Sequence, residues 1–149
     1  MAHTYTDLLY HFVWSTEGRI PLIQAEYKNR LYAYLRTAMK GMNAIPIKIN
    51  GMPDHVHILA ALRPNAVISD FVRDIKRASS KFATSELNLR GFNWQTGYGA
   101  FTVGYSNKES VVNYIENQEV HHKTVSFDEE FKGMLEKLGI LYDPRFVLD

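Results

Sequence analysis

The residues with the most evident chemical capacity lie in the stretch Pro53-Asp54-His55-Val56-His57-Ile58-Leu59. Successive side chains on a strand point to opposite faces, so His55 and His57 share a face and Val56 takes the other. Two imidazoles side by side on a rigid strand can hold one metal ion, because neutral histidine is the commonest metal ligand. They can equally be strand residues with satisfied hydrogen bonds, and the pair alone does not decide. A second pair, Tyr114 and Gln118, is four residues apart and therefore on one face of a helix, about one turn of ~5.4 Å separating them. A tyrosine hydroxyl can act as a covalent nucleophile, although an ordinary pKa near ~10 leaves it mostly protonated at neutral pH. A divalent metal beside it eases attack on phosphorus by polarising the non-bridging oxygens. A glutamine amide oxygen is a neutral hard ligand suited to complete a two-histidine site for Mg²⁺ or Mn²⁺. Against this, Val111, Val112 and Ile115 surround Tyr114 in sequence, which suits a core aromatic. Gln118 by itself indicates nothing.

Other reactive residue types have simpler readings. His121 and His122 diverge by about 100° on a helix and are read as solvated residues that suit its C-terminal dipole. His11, on an aromatic strand, is read as a packed, hydrogen-bonded core histidine. Asp128-Glu129-Glu130 reads as charge at a helix N-terminus, not as catalytic carboxylate. Gly97-Tyr98-Gly99 lacks the lysine and helix start of a phosphate-binding loop. The absence of cysteine excludes disulfides, thiolate zinc sites and cysteine nucleophiles, and fits a reducing cytoplasm. A net charge of +1 names no partner, so any nucleic-acid surface must be a local basic patch. Arg73, Lys76, Arg77 and Lys81 offer one, on a single side of a helix. That side is either a solvated surface or, with Phe92, Trp94, Tyr98 and Phe101 for base stacking, a surface for single-stranded DNA.

These residues need elements to position them. A chain of 149 residues, 46% apolar and 22% charged, suits one domain over 1–149 with a real core. The first residues lack a signal peptide's basic and apolar regions, and no run approaches the roughly 18 to 20 apolar residues needed to cross a bilayer. The pattern predicts a strand over Leu8–Ser15, a helix over Ala25–Met42 and a strand over Ala44–Asn50. Gly51-Met52-Pro53-Asp54 then turns into the histidine strand as a hairpin. A helix over Ser69–Leu87, capped by Ser69 or Asp70, and a strand over Ala100–Gly104 follow. Asn107 or Ser106 caps a helix over Lys108–His122. Ser126-Phe127-Asp128-Glu129 opens a last helix to Leu138, ended by Gly139, with 141–149 a short tail. Strand, helix, strand, strand, helix, strand, helix is the order of an α+β, ferredoxin-like or RRM-like split βαβ fold. It consists of an antiparallel sheet with two helices on one face plus extra C-terminal helices.

Four blocks together resemble the single-tyrosine HUH transposases of small bacterial insertion sequences and their domesticated relatives. They are Tyr10-His11-Phe12-Val13-Trp14-Ser15-Thr16 with Arg19, Met52 to Leu59, Trp94 to Phe101, and Val112-Asn113-Tyr114-Ile115-Glu116-Asn117-Gln118. The resemblance spans nearly the whole chain. It implies that His55 and His57 are the metal pair, Gln118 the third ligand and Tyr114 the nucleophile, with Mg²⁺ or Mn²⁺ as cofactor. It implies attack on single-stranded DNA at element ends, a 5′-phosphotyrosine link, a free 3′-hydroxyl, recognition of DNA hairpins, and a homodimer. The chain departs from the family's pattern at Glu17-Gly18, where a lysine is usual, so a DNA contact there is not implied. The alternative from another class is a non-catalytic module of the same fold that binds hairpin DNA or RNA. A metal-dependent hydrolase using water would leave Tyr114 without a role.

Overall fold

The computed structural model describes residues 2–147; the last two residues of the expected tail, 148–149, lie outside the described residues. Four strands, β1 (Leu9–Ser15), β2 (Ile45–Met52), β3 (His55–Ala61) and β4 (Gly99–Val103), form one antiparallel sheet in the order β2-β3-β1-β4. Helices α1 (Ala25–Gly41) and α2 (Ile68–Ser85) complete the split βαβ plan. Strand alternation sorts the sheet into two chemically different faces. Phe12, Trp14, Ile49, Val56, Ile58 and Ala60 point to one face and are buried with Leu31, Leu35, Met39, Phe71 and Ile75 of α1 and α2. Tyr34 and Phe82 stack between those helices at 4.3 Å.

The opposite face carries His11, Val13, His55, His57 and Phe101. Val13 pairs with His57 and His11 with Phe101 across the strands, so all five fall on one side. A face with three histidines needs polar partners as well as a lid, and the C-terminal helices supply both. They are α3 (Lys108–Glu116), α4 (Gln118–His121) and α5 (Phe127–Lys137). Phe127, Phe131 and Leu135 of α5 join Val13 and Phe101 in a second apolar cluster. Ser126 Oγ accepts from Glu129 N at 3.2 Å, as the capping motif predicts, and Gly139 follows the helix end with φ 69°.

Two glycines are required by close approach. A Cβ at Gly51 would run into the backbone of His55 and Val56. One at Gly99 would lie 2.8 Å from Phe131 and 2.9 Å from Phe101, so Gly99 lets α5 settle onto β4. Three expectations are corrected. The second strand runs on to Met52, because Gly51 and Met52 pair with Val56 and His55. The N-cap of α2 is Val67, not Ser69 or Asp70, and it makes no side-chain cap bond. The helix expected over Lys108–His122 breaks at Asn117 (φ −92°, ψ 25°) into α3 and α4. Asn50 explains the break: its Nδ2 donates to the carbonyls of Ile115 (3.0 Å) and Glu116 (3.1 Å), satisfying groups that would otherwise continue the helix.

Candidate metal and nucleophile site

β3 presents His55 and His57 as adjacent same-face side chains, both fully buried, with ring centroids 5.1 Å apart. Each is held from behind. Nδ1 of His55 donates to Asp54 Oδ1 at 2.7 Å, and His57 Nδ1 lies 2.8 Å from Nε2 of the buried His11. Phe127 stacks on His55 at 4.4 Å. These contacts fix both rings so that their Nε2 atoms face α3, α4 and α5. A partner behind an imidazole of this kind sets its tautomer and orientation toward a ligand.

The break at Asn117 brings Gln118 to this point, fully buried, its Oε1 3.0 Å from His55 Nε2. Tyr114, one turn earlier, is half-buried, with its ring 5.7 Å from that of His57. Its hydroxyl donates to Glu130 Oε2. His55, His57, Gln118 and Tyr114 therefore meet in one place.

The same place gathers two residues the sequence reading assigned elsewhere. His122, expected to be solvated, has its side chain 6% exposed: its Nδ1 donates to the Val125 carbonyl at 2.6 Å and its Nε2 lies 3.1 Å from Gln118 Oε1. Glu130, expected to be a helix N-terminal charge, does lie in the first turn of α5 but is buried at the centre. Its Oε1 lies 2.9 Å from His57 Nε2, 3.2 Å from His122 Nε2 and 3.4 Å from His55 Nε2. Its neighbours behave as expected: Glu129 completes the cap and Asp128 pairs with Lys132. A signal was present, since Glu130 shares the inward stripe of Phe127, Phe131 and Met134 at helical spacing, where a surface carboxylate would be out of place. His11 is the packed, hydrogen-bonded core histidine expected of it, and it is also His57's support.

The electrostatics follow from burial and contact. Burial alone would lower His55, but the carboxylates of Asp54 and Glu130 outweigh it and hold it up at about 9. Burial lowers His57 despite Glu130. Burial, with His57 adjacent, brings His11 down to about 3. Burial and then Glu130 push the Tyr114 hydroxyl well above its ordinary range. The imidazoles of His122, His55 and His57 overcome burial and hold Glu130 well below the usual carboxylate range. The donor set fits a divalent cation. Ligating atoms of His55, His57, His122 and Glu130 all lie within 4.8 Å of one another.

The four basic residues of α2 are divided by the fold. Lys76 is half-buried and donates to the carbonyls of Gln95 (2.9 Å), Thr96 (3.3 Å) and Gly97 (2.6 Å), with burial bringing it down to about 8. Arg73 is exposed and pairs with Asp70 and Asp74. Arg77 and Lys81 are exposed and make no ion pair among the described residues. The aromatics expected to stack on bases are mostly core: Phe92, Trp94 and Phe101 are buried, and Tyr98 alone of the four is exposed. Their spacing did not distinguish surface from core because the segment has no regular periodicity. A second basic cluster, Lys28, Arg36 and Lys48, lines a pocket of about 400 Å³ with Tyr32 and Asn50. A larger cleft of about 700 Å³, bordered by Phe101, Tyr114, His121, Glu130 and Met134, leads past β4 to the tyrosine.

No helix among the described residues is long and apolar enough to cross a membrane. The ISDra2 transposase TnpA of Deinococcus radiodurans is 32% identical over 120 residues, covering 75% of this chain and 84% of that protein. The transposase for insertion sequence element IS200 of Salmonella typhimurium is 27% identical over 124 residues, covering 79% and 81%. A crystal structure from Deinococcus radiodurans R1, assigned as a transposase, superposes with a TM-score of 0.62 at 30% identity, covering 79% of this chain and 96% of that one. A REP-associated tyrosine transposase bound to a REP hairpin shares the fold, with a TM-score of 0.62 at 17% identity over 84% of this chain and 74% of that one. Residues 4–118, from just before β1 through the first residue of α4, match the family described as IS200-like transposases, and the chain belongs to that family.

Proposed function

We propose that this transposase cuts and rejoins single-stranded DNA at insertion-sequence ends, with Tyr114 as nucleophile and a metal held by His55, His57 and Gln118. The observation that carries the reading is the convergence of Tyr114's hydroxyl with three buried ligand side chains that no packing requirement explains. In the reaction the Tyr114 oxygen forms a bond to the scissile phosphorus and the bond to the 3′ oxygen breaks. The phenolic proton leaves along the hydrogen bond toward Glu130, and the departing oxygen takes a proton from solvent, giving a 5′-phosphotyrosine and a free 3′-hydroxyl. That hydroxyl, or one on another strand, reverses the step without added energy. Bound Mg²⁺ or Mn²⁺ would polarise the non-bridging oxygens and offset the developing charge.

Tyr114's burial raises the cost of its phenolate, so a cation nearby matters more here than for a solvated tyrosine. Arg77 and Lys81 are the first candidates for backbone contact; Arg73 and the lysines of the Lys28–Arg36–Lys48 pocket are available through the exchange of exposed ion pairs, and Lys76 is committed to backbone carbonyls within the protein. Hairpin recognition is carried over from the relative bound to a REP hairpin. A homodimer, the commonest oligomer, is part of this reading. The cysteine-free composition suits action in the cytoplasm.

The test is incubation with single-stranded DNA from the flanks of the gene, with Mg²⁺ or Mn²⁺, on a denaturing gel. A covalent adduct lost in Tyr114→Phe and His55→Ala, and with chelator, is the expected result. Tight hairpin binding with no adduct under either metal would replace this reading with that of a binding module.

A further inference from the structure

The proposed site contains more ligands than its function requires. His55, His57 and His122 each have Nδ1 engaged, by the Asp54 carboxylate, the His11 imidazole and the Val125 carbonyl respectively. In a neutral imidazole a proton on Nδ1 leaves a lone pair on Nε2. All three Nε2 atoms stand 2.9 to 3.4 Å from one atom, Glu130 Oε1. In a buried space three imidazole nitrogens and a carboxylate oxygen need a positive charge among them, supplied by imidazole protons or by a metal ion that displaces them, and these four donor atoms all lie within 4.8 Å of one another. The other carboxylate oxygen has different work: Oε2 accepts from Tyr114 and, at 3.1 Å, from the Gln118 amide.

We propose that the metal of this chain sits in a three-histidine, one-carboxylate set of His55, His57, His122 and Glu130, with Glu130 also positioning Tyr114. The inference rests on the function proposed above and changes its ligand set. Two ligands come from β3, one from the residue after α4 and one from α5, so the last helix becomes part of the site, not a cover over it. Gln118 then serves as an orienting residue between His55, His122 and Glu130, or as an added neutral ligand. Three imidazoles favour a divalent transition ion such as Mn²⁺ over Mg²⁺, which prefers oxygen and keeps its waters. One carboxylate touching both the ligand cluster and the nucleophile ties the tyrosine's position to occupancy of the site.

Mn²⁺ is the probe, followed by electron paramagnetic resonance without DNA. The expected result is that Glu130→Gln and His122→Asn each weaken Mn²⁺ binding by at least about tenfold, while Glu130→Asp recovers part of the loss. Echo-modulation spectra of the wild-type protein, which need no variant to fold, should show three coupled imidazole nitrogens. Two nitrogens, or wild-type Mn²⁺ affinity in both variants, would overturn the proposal. So would faster adduct formation by Glu130→Gln, which would make the carboxylate an obstruction. A three-nitrogen Mn²⁺ site in a protein that forms no adduct would refute the transposition chemistry and leave the ligand set standing. Adduct formation with a two-nitrogen site would do the reverse.

Discussion

Asn50 is the residue through which the sheet sets the position of the tyrosine. It pairs with His57 across β2 and β3, so it stands on the site's face, and its amide donates to two carbonyls at the end of α3. Among the described residues, the other side-chain polar links from α1 and β2 to this region are the pairs Lys48–Glu116 and Lys28–Glu119, both 3.6 Å with exposed carboxylates, and such pairs contribute little. A net intramolecular hydrogen bond contributes about 0.5–1.5 kcal/mol, and the bond to Glu116 is solvent-exposed, so the two together are worth about 1–2 kcal/mol. If that energy holds Tyr114 and Gln118 in register with His55, Asn50→Ala should slow adduct formation by about 5–30-fold. Single-turnover kinetics on a denaturing gel measure this, and a melting curve separates misplacement from unfolding. Asn50→Asp should be slower still, since it sets a carboxylate against two carbonyl oxygens. Adduct formation at the wild-type rate by Asn50→Ala, or an Asn50→Asp variant as fast as the alanine, would refute the reasoning.

Other consequences follow from the same geometry. Gly99→Ala sets a methyl against Phe131 and Phe101 and should destabilise the docking of α5 by about 1–3 kcal/mol, read as earlier proteolysis within 127–137. Unchanged protease resistance would mean α5 adjusts freely. Asp54→Asn removes the carboxylate behind His55 and should weaken Mn²⁺ binding by about 10–100-fold by calorimetry. His55, held up at about 9, is protonated at neutral pH and must lose that proton to bind a metal. Mn²⁺ affinity should therefore rise about tenfold per pH unit up to about pH 9 and then level, with about one proton released near pH 7; a flat profile contradicts this. Replacing Arg77 and Lys81 together by alanine should weaken binding of single-stranded DNA across sequences and flatten its salt dependence, with no change in Mn²⁺ affinity.

Much of this protein is decided by local sequence. Alternating residues in β1 and β3 determine which side chains face α1 and α2 and which form the histidine face, because a strand's period of two leaves no other choice. The hairpin before His55, the cap at Ser126 and the stop at Gly139 are likewise local, set by backbone conformation and nearest neighbours. His55, His57, Tyr114 and Gln118 were legible as candidates because their spacing places each pair on one face. The break at Asn117 was not, since it depends on Asn50, 65 and 66 positions from the carbonyls it binds. His122 reads as a solvated histidine and Glu130 as a helix N-terminal charge, and only the folding of α4 and α5 onto the sheet buries them beside the histidines. The division of the α2 cations also depends on distance in sequence: Lys76 is occupied by carbonyls 19 to 21 residues away, which no helical periodicity reveals. Spacing along the chain determines which residues share a face, and packing between distant elements determines what meets that face, because burial and hydrogen-bond partners belong to the assembled fold.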